Sequence, residues 1–183
     1  MLYSEKELEK RLKAGCALYY FYASDEALVH TAAQKALKYL NRDDPETTVL
    51  DGPTPSVEEI VLAAGTISFF GAKRLVLMPL IRPSTYSDKD LQELCDTLAD
   101  TENAIFVLTS IIEENYGKLR PGKREQKLIA SCEKLGYCVQ LNRPTGAALQ
   151  AMACDWAKET GAVFAPGAEA ALLARCGARQ FLL

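Results

Sequence analysis

Two periods of apolar residues alternate along most of the chain. The run "ALYYFYA" (17–23) is apolar without interruption and the length of one strand, the pattern of a strand buried on both faces. It predicts β structure. From Ser24 to Asn41 the spacing changes to that of a helix, with Val29, Ala33, Leu37 and Leu40 on one side and His30, Gln34, Lys38 and Asn41 on the other. Asp25 and Glu26 fall in its first turn, where carboxylates suit the helix dipole. "TTVLDG" predicts a second strand. In "PSVEEIVLAAG" a capping box of Ser56 and Glu59 opens a helix, Val57, Ile60, Val61 and Ala64 form its apolar stripe, and Gly65 ends it. "RLVLMPL" is a third strand. After the polar segment "RPSTYSDKD" (82–90) come a helix from Asp88 to Ala99, a strand in "NAIFVLTS", a helix from Gly122 to Lys134 and a strand in "YCVQLN".

Five strands separated by helices imply βαβ units and an α/β fold: a five-stranded, mostly parallel sheet with helices on both faces. From Pro144 the strand signal disappears, and two helices parted by "GAVFAPG" are predicted. This sets a boundary between a 1–143 α/β domain and a 144–183 helical domain. The chain stops at "ARQFLL", ending on apolar residues with no polar tail or capping signal, which suggests a helical domain cut short.

Composition changes this picture little. The chain has 183 residues, 49% hydrophobic and 25% charged, with a net charge of -3 and a pI near 5.3. A surface of that charge is not built as a whole to hold a phosphate backbone, so any nucleic-acid contact must be local. The start, "MLYSEKELEKRLKAG", is amphipathic and lacks the apolar centre of a signal peptide. No apolar run approaches the roughly 20 residues that span a membrane. Six cysteines, none in a CxxC pair, sit mostly within apolar patterns, as suits a reducing cytosol. With His30 the only histidine, a zinc site has no ligand set.

A parallel sheet of this size invites a nucleotide, and the turn after the first strand tests that idea. A phosphate loop needs glycines, then lysine and a hydroxyl. Here the turn is "FYASDEALVHTA": no glycine lies between Gly15 and Gly52, and Asp25 and Glu26 stand where a phosphate would sit. The third strand also ends without the acids that would hold magnesium. His30 reads as a surface residue, and Cys132 and Cys138 as core. The run "GKLRPGKREQK" gathers Lys118, Arg120, Lys123, Arg124 and Lys127, either a solvated loop and helix start or a contact for DNA or a partner, most directly through Lys118, Arg120, Lys123 and Arg124. In "ISFFGAKRLVLM" the adjacent Phe69 and Phe70 leave the backbone in different directions, so either both pack under the sheet or one faces outward.

These segments, taken in order, resemble the delta subunits of the bacterial DNA polymerase III clamp loader. The likeness runs through "LYYFYASDEALVHTAAQKAL", "ISFFGAKRLVLM", "AIFVLTS", "KREQKLIASCEKLGYCVQLNRPT" and "ALQAMACDWAKETGAVFAPGAEAALLARCG", with Trp156, Gly161 and Gly177 at lid-like spacing. The resemblance implies an AAA+-like (P-loop NTPase-like) domain without a phosphate loop, then a truncated helical lid, the C-terminal collar domain being absent. It also implies a non-catalytic subunit of a DNA-directed DNA polymerase holoenzyme that takes no cofactor, works in the cytosol, and binds and opens the sliding clamp (beta). The clamp-binding residues so implied are Ile67, Phe69 and Phe70, with Lys73 and Arg74 steering. The further partners are the ATPase subunits (gamma/tau), delta-prime and, within the complex, primed DNA, with no membrane. Ala23 stands where relatives often have glycine, and "RPSTYSDKD" has no counterpart. Two alternatives stay open: a delta-prime-like accessory module, against which the missing zinc motif counts, and an α/β nucleotide-binding enzyme with an unrecognised site, against which the missing phosphate loop counts.

Overall fold

The computed structural model describes residues 5–40, 47–52, 54–65, 73–143 and 146–176. Their strands, in chain order, are β1 (Leu18–Ala23), β2 (Thr47–Val49), β3 (Arg74–Met78), β4 (Ala104–Ile111), β5 (Glu114–Asn115), β6 (Lys118–Leu119) and β7 (Tyr137–Gln140). The helices are α1 (Glu5–Lys13), α2 (Glu26–Leu40), α3 (Val57–Gly65), α4 (Asp88–Asp100), α5 (Lys123–Leu135), α6 (Ala147–Glu159) and α7 (Ala168–Cys176). The chain divides into two compact units, Met1–Leu141 and Asn142–Leu183.

In the first unit five strands form one sheet in the order β2-β3-β4-β1-β7, and every neighbouring pair is parallel. Strand β1 is buried along its whole length, as its unbroken apolar run requires, and it pairs with β4 on one side and β7 on the other. The two-residue period sorts its side chains between two cores. Leu18, Tyr20 and Tyr22 pack with Ile60, Leu91, Leu94, Leu98, Leu128 and Cys132, so α3, α4 and α5 cover that face. Tyr19, Phe21 and Ala23 pack with Leu8, Leu12, Val29, Ala33 and Leu37, so α1 and α2 cover the other. Phe21 and Tyr137 meet edge to face at 6.3 Å between centroids, a geometry that aromatic quadrupoles favour.

The helix starts follow from local chemistry. The capping box of α3 is formed: Glu59 N donates to Ser56 Oγ at 3.2 Å and Ser56 N to Glu59 Oε2 at 2.7 Å. Ser87 caps α4 by accepting from Asp90 N at 3.1 Å. Helix α2 starts at Glu26, two residues later than its spacing suggests, because Asp25 acts as a cap and accepts from Ala27 N at 3.0 Å. His30 is on the exposed side of α2, and Val29, Ala33 and Leu37 are buried.

In the second unit α6 and α7 pack against each other, and Leu149 and Ala153 of α6 are buried. Gln150 Nε2 donates to Glu169 Oε1, and Cys154 Sγ donates to Glu169 Oε2 at 3.2 Å. Among the described residues no helix is long and apolar enough to cross a membrane, and no group of three or more His, Cys, Asp or Glu could hold a metal ion.

Candidate functional site

Because the five strands run the same way, their C-terminal ends share one edge of the sheet, and their N-terminal ends share the other. In open α/β sheets ligands bind beyond the C-terminal ends. At that edge here, polar groups are already bonded to the protein itself. Ser24, which follows β1, donates to Glu114 Oε2 of β5, and Asp25, 7% exposed, caps α2. An anion approaching this helix start would meet a carboxylate on its N–H. At the end of β4, Thr109 Oγ1 accepts from Leu80 N at 2.8 Å and Thr109 O from Ile81 N at 2.9 Å. Tyr20 OH donates to Ser110 Oγ at 2.9 Å, and Ser110 Oγ to Ile81 O at 3.0 Å. These bonds hold the connection after β3, where Leu80 takes a left-handed φ of 52°.

The nearby ionisable groups are equally enclosed. Burial pushes the Tyr20 hydroxyl and the Cys132 thiol well up, and burial pushes the Cys138 thiol from its ordinary 9.0 to about 12. For an acid raised in the folded state, the unfolded chain loses its proton first. The stabilisation is therefore complete below pH 9 and is lost as pH rises from 9 toward 12. Urea unfolding midpoints are expected to stay level from pH 7 to 8.5 and to fall above pH 9. A thiol-reactive probe at pH 8 should label Cys132 and Cys138 only on unfolding; rapid labelling of either in the native protein would contradict the burial.

The N-terminal edge carries the residues that flank the two phenylalanines. Ile67, Phe69 and Phe70 themselves lie outside the described residues. Lys73 is exposed, and Arg74 opens β3 opposite Ala104, its N donating to Asn103 O at 3.0 Å. Helix α3, which leads to this edge, differs from its expected stripe. Ile60, Ala63 and Ala64 are buried, Val57 is half-buried, and Val61 is 51% exposed. The small Ala63 and Ala64 turn toward the core, which rotates the buried stripe to the 60, 63, 64 spacing and leaves Val61 and Leu62, the latter 71% exposed, facing out.

The basic run is spread over a strand, a helix and the connection between them. Lys118 lies in β6, Arg120 just beyond it, and Lys123 and Arg124 in the first turn of α5; Lys118, Arg120 and Lys123 are exposed. Arg124 Nε pairs with Asp88 Oδ1 at 2.9 Å and Nη1 donates to Ser84 O at 2.9 Å. This fastens the 82–90 segment to α5, and the hydrogen bond from Arg124 holds the Asp88 carboxyl below its ordinary range. Nothing in the spacing of these residues signals that pairing. The β5–β6 hairpin lies outside the elements that the sequence predicts, although Asn115-Tyr116-Gly117-Lys118 has the glycine of a two-residue turn.

No protein-family model matches the chain, and no curated protein does. Solved structures do. The Bacillus subtilis DNA clamp loader delta protein superposes with a TM-score of 0.60 over 92% of this chain, at 18% identity. The chain shares that protein's fold. A DNA polymerase III gamma subunit-related protein from Thermotoga maritima matches with a TM-score of 0.54 over 85% of this chain, at 13% identity. The chain spans 51% and 50% of the lengths of these two proteins. What is shared is the α/β architecture described above, a five-stranded parallel sheet between helices.

Proposed function

We propose that the chain is a non-catalytic clamp-loader subunit whose Ile67, Phe69 and Phe70 anchor on a sliding clamp, while Lys73 and Arg74 steer its approach. The observation that carries this reading is the likeness to the delta protein across nearly the whole chain. It agrees with the ordered sequence resemblance, which puts the delta subunits' hydrophobic pair at "SFFG". Two further observations support it. The turn that would cradle a nucleotide phosphate presents the Asp25 carboxylate instead, and α3 leads toward the anchor segment with Val61 and Leu62 outward. In this reading Met1–Leu141 is the clamp-binding AAA+-like unit, Asn142–Leu183 the start of a lid, and a longer protein joins gamma/tau and delta-prime in the cytosol.

The test is binding of this chain to the sliding clamp of its own organism by calorimetry, beside Phe69→Ala and Phe70→Ala. Micromolar or tighter binding by the parent, with at least a tenfold loss in either folded variant, is expected of a hot-spot anchor, about 1.4 kcal/mol or more. No binding, or binding indifferent to both rings, would refute it. Lys73→Gln should act mainly on the association rate and its salt dependence.

A further inference from the structure

The β5–β6 hairpin carries a ring that neither the core nor the turn requires. Tyr116 is 97% exposed, and it and Gly117 form the two-residue loop with φ of 51° and 72°. Left-handed φ suits asparagine or glycine at these positions and is unfavourable for a bulky side chain. Tyr116 therefore bears a backbone penalty and recovers nothing by burial. Such a ring is placed to contact something outside the chain.

The hairpin beneath it has two different faces. Glu114 pairs with Leu119 and Asn115 with Lys118, so successive positions alternate in direction. Leu119 packs against the core, and Glu114 accepts from Ser24; these fix the inner face. Asn115, Lys118 and Arg120 fall on the outer face, all exposed, and Arg120 N donates to Glu113 O at 2.8 Å, which extends the ladder. Glu113, opposite Arg120, is the acid of that face. Glu125 is turned back against Gly122, where a Cβ would meet its Oε2. Lys118 and Arg120 are two residues apart on one strand, about 7 Å, a step of the order of the distance between successive phosphates in an extended strand. Lys123 follows in the first turn of α5.

We propose that this hairpin is a contact for single-stranded nucleic acid: Tyr116 stacks on an unpaired base, and Lys118 and Arg120 meet the phosphates beside it. Aromatic stacking with flanking cations is how sequence-tolerant strand binding is built. An acidic polypeptide would meet the cations, but its carboxylates offer no broad π face to a fully presented ring, as every base does. The site is at the C-terminal edge of the sheet, where β4 ends, and does not depend on clamp binding through residues 67–70.

The experiment is fluorescence anisotropy of a labelled oligothymidylate with the whole chain at low salt, no clamp present. Tyr116→Ala and Tyr116→Asn should each weaken binding at least fivefold. Asparagine suits the turn, so its melting temperature should equal or exceed the parent's; weaker binding in that variant reports the ring, not the fold. Tyr116→Phe should bind as the parent does. Changing Lys118 and Arg120 together to Gln should lower the slope of log K against log salt by about 1.4, the effect of two phosphate contacts on a single strand. The proposal is overturned if the parent shows no salt-dependent binding, if Tyr116→Asn binds like the parent, or if polyglutamate competes as well as unlabelled oligonucleotide. It is also overturned if a blunt duplex binds as tightly and equally without the ring.

Discussion

Phe106→Ala is expected to destabilise the first unit by about 3–5 kcal/mol, the usual cost of replacing a fully buried phenylalanine by alanine in a core that cannot collapse around the loss. Phe106 is fully buried in the middle strand of the sheet, with Leu18 of β1 on one side in register and Val76 of β3 on the other. Its ring lies in the core that α3, α4 and α5 cover, between strands whose hydrogen bonds prevent them from closing on the gap. Against a total stability of about 5–15 kcal/mol for a domain of this size, the variant should be substantially unfolded near its growth temperature. Urea titration followed by circular dichroism measures the shift. Phe106→Leu should lose clearly less, and a loss below about 1.5 kcal/mol for alanine would mean that the core is far looser than the burial indicates.

Gly136→Ala carries the next largest effect, for a different reason. Gly136 joins α5 to β7, and a Cβ there would collide with the carbonyl oxygen of Leu18. That oxygen cannot withdraw without shifting β1, whose Leu18 is paired with Phe106. Its φ of -173° is ordinary extended backbone, so close approach alone demands glycine. The expected loss is about 3 kcal/mol, the upper end of the range for overpacking, because backbone and not a flexible side chain is struck. Gly65→Ala is the control: among the described residues no atom beyond its chain neighbours and its own helix backbone lies within 4 Å of a Cβ there, and the variant should be neutral or slightly more stable. Equal melting curves for Gly136→Ala and the parent would contradict the packing of β7 on β1.

The parts of this fold that sequence made legible are those that rest on local rules. "LYYFYA" is buried on both faces because no polar residue interrupts it, and Ser56 and Glu59 cap α3 because their spacing allows the reciprocal bonds. The alternation of periods was enough for a parallel sheet between helices. What was not legible depends on contacts distant in sequence or on small steric choices. Arg124 bonds Asp88 and Ser84, which no spacing pattern links to it. Val61 faces outward because Ala63 and Ala64 pack inward in its place, although Val61 is the more hydrophobic residue. The β5–β6 hairpin has strands of two residues, too short for any alternation to register. As for the candidate site, its basic half could be read as charge but not as a hairpin face, and its anchor residues rest on the sequence resemblance.

The pairing of β1 also governs how the chain is made. Leu18 finds its sheet partner in Phe106, and Tyr19 finds another in Tyr137, so the first strand synthesised waits for the two last strands of its sheet. At about 5–20 residues per second, the gap before β4 appears is on the order of ten seconds. Helix α2 follows β1 directly and shields Tyr19 and Phe21, but Leu18, Tyr20 and Tyr22 belong to the opposite core. During synthesis one side of "LYYFYA" is thus a bare aromatic strand, both of whose edges are unpaired, and chaperone holdases that recognise such segments should bind the nascent chain there until β4 docks.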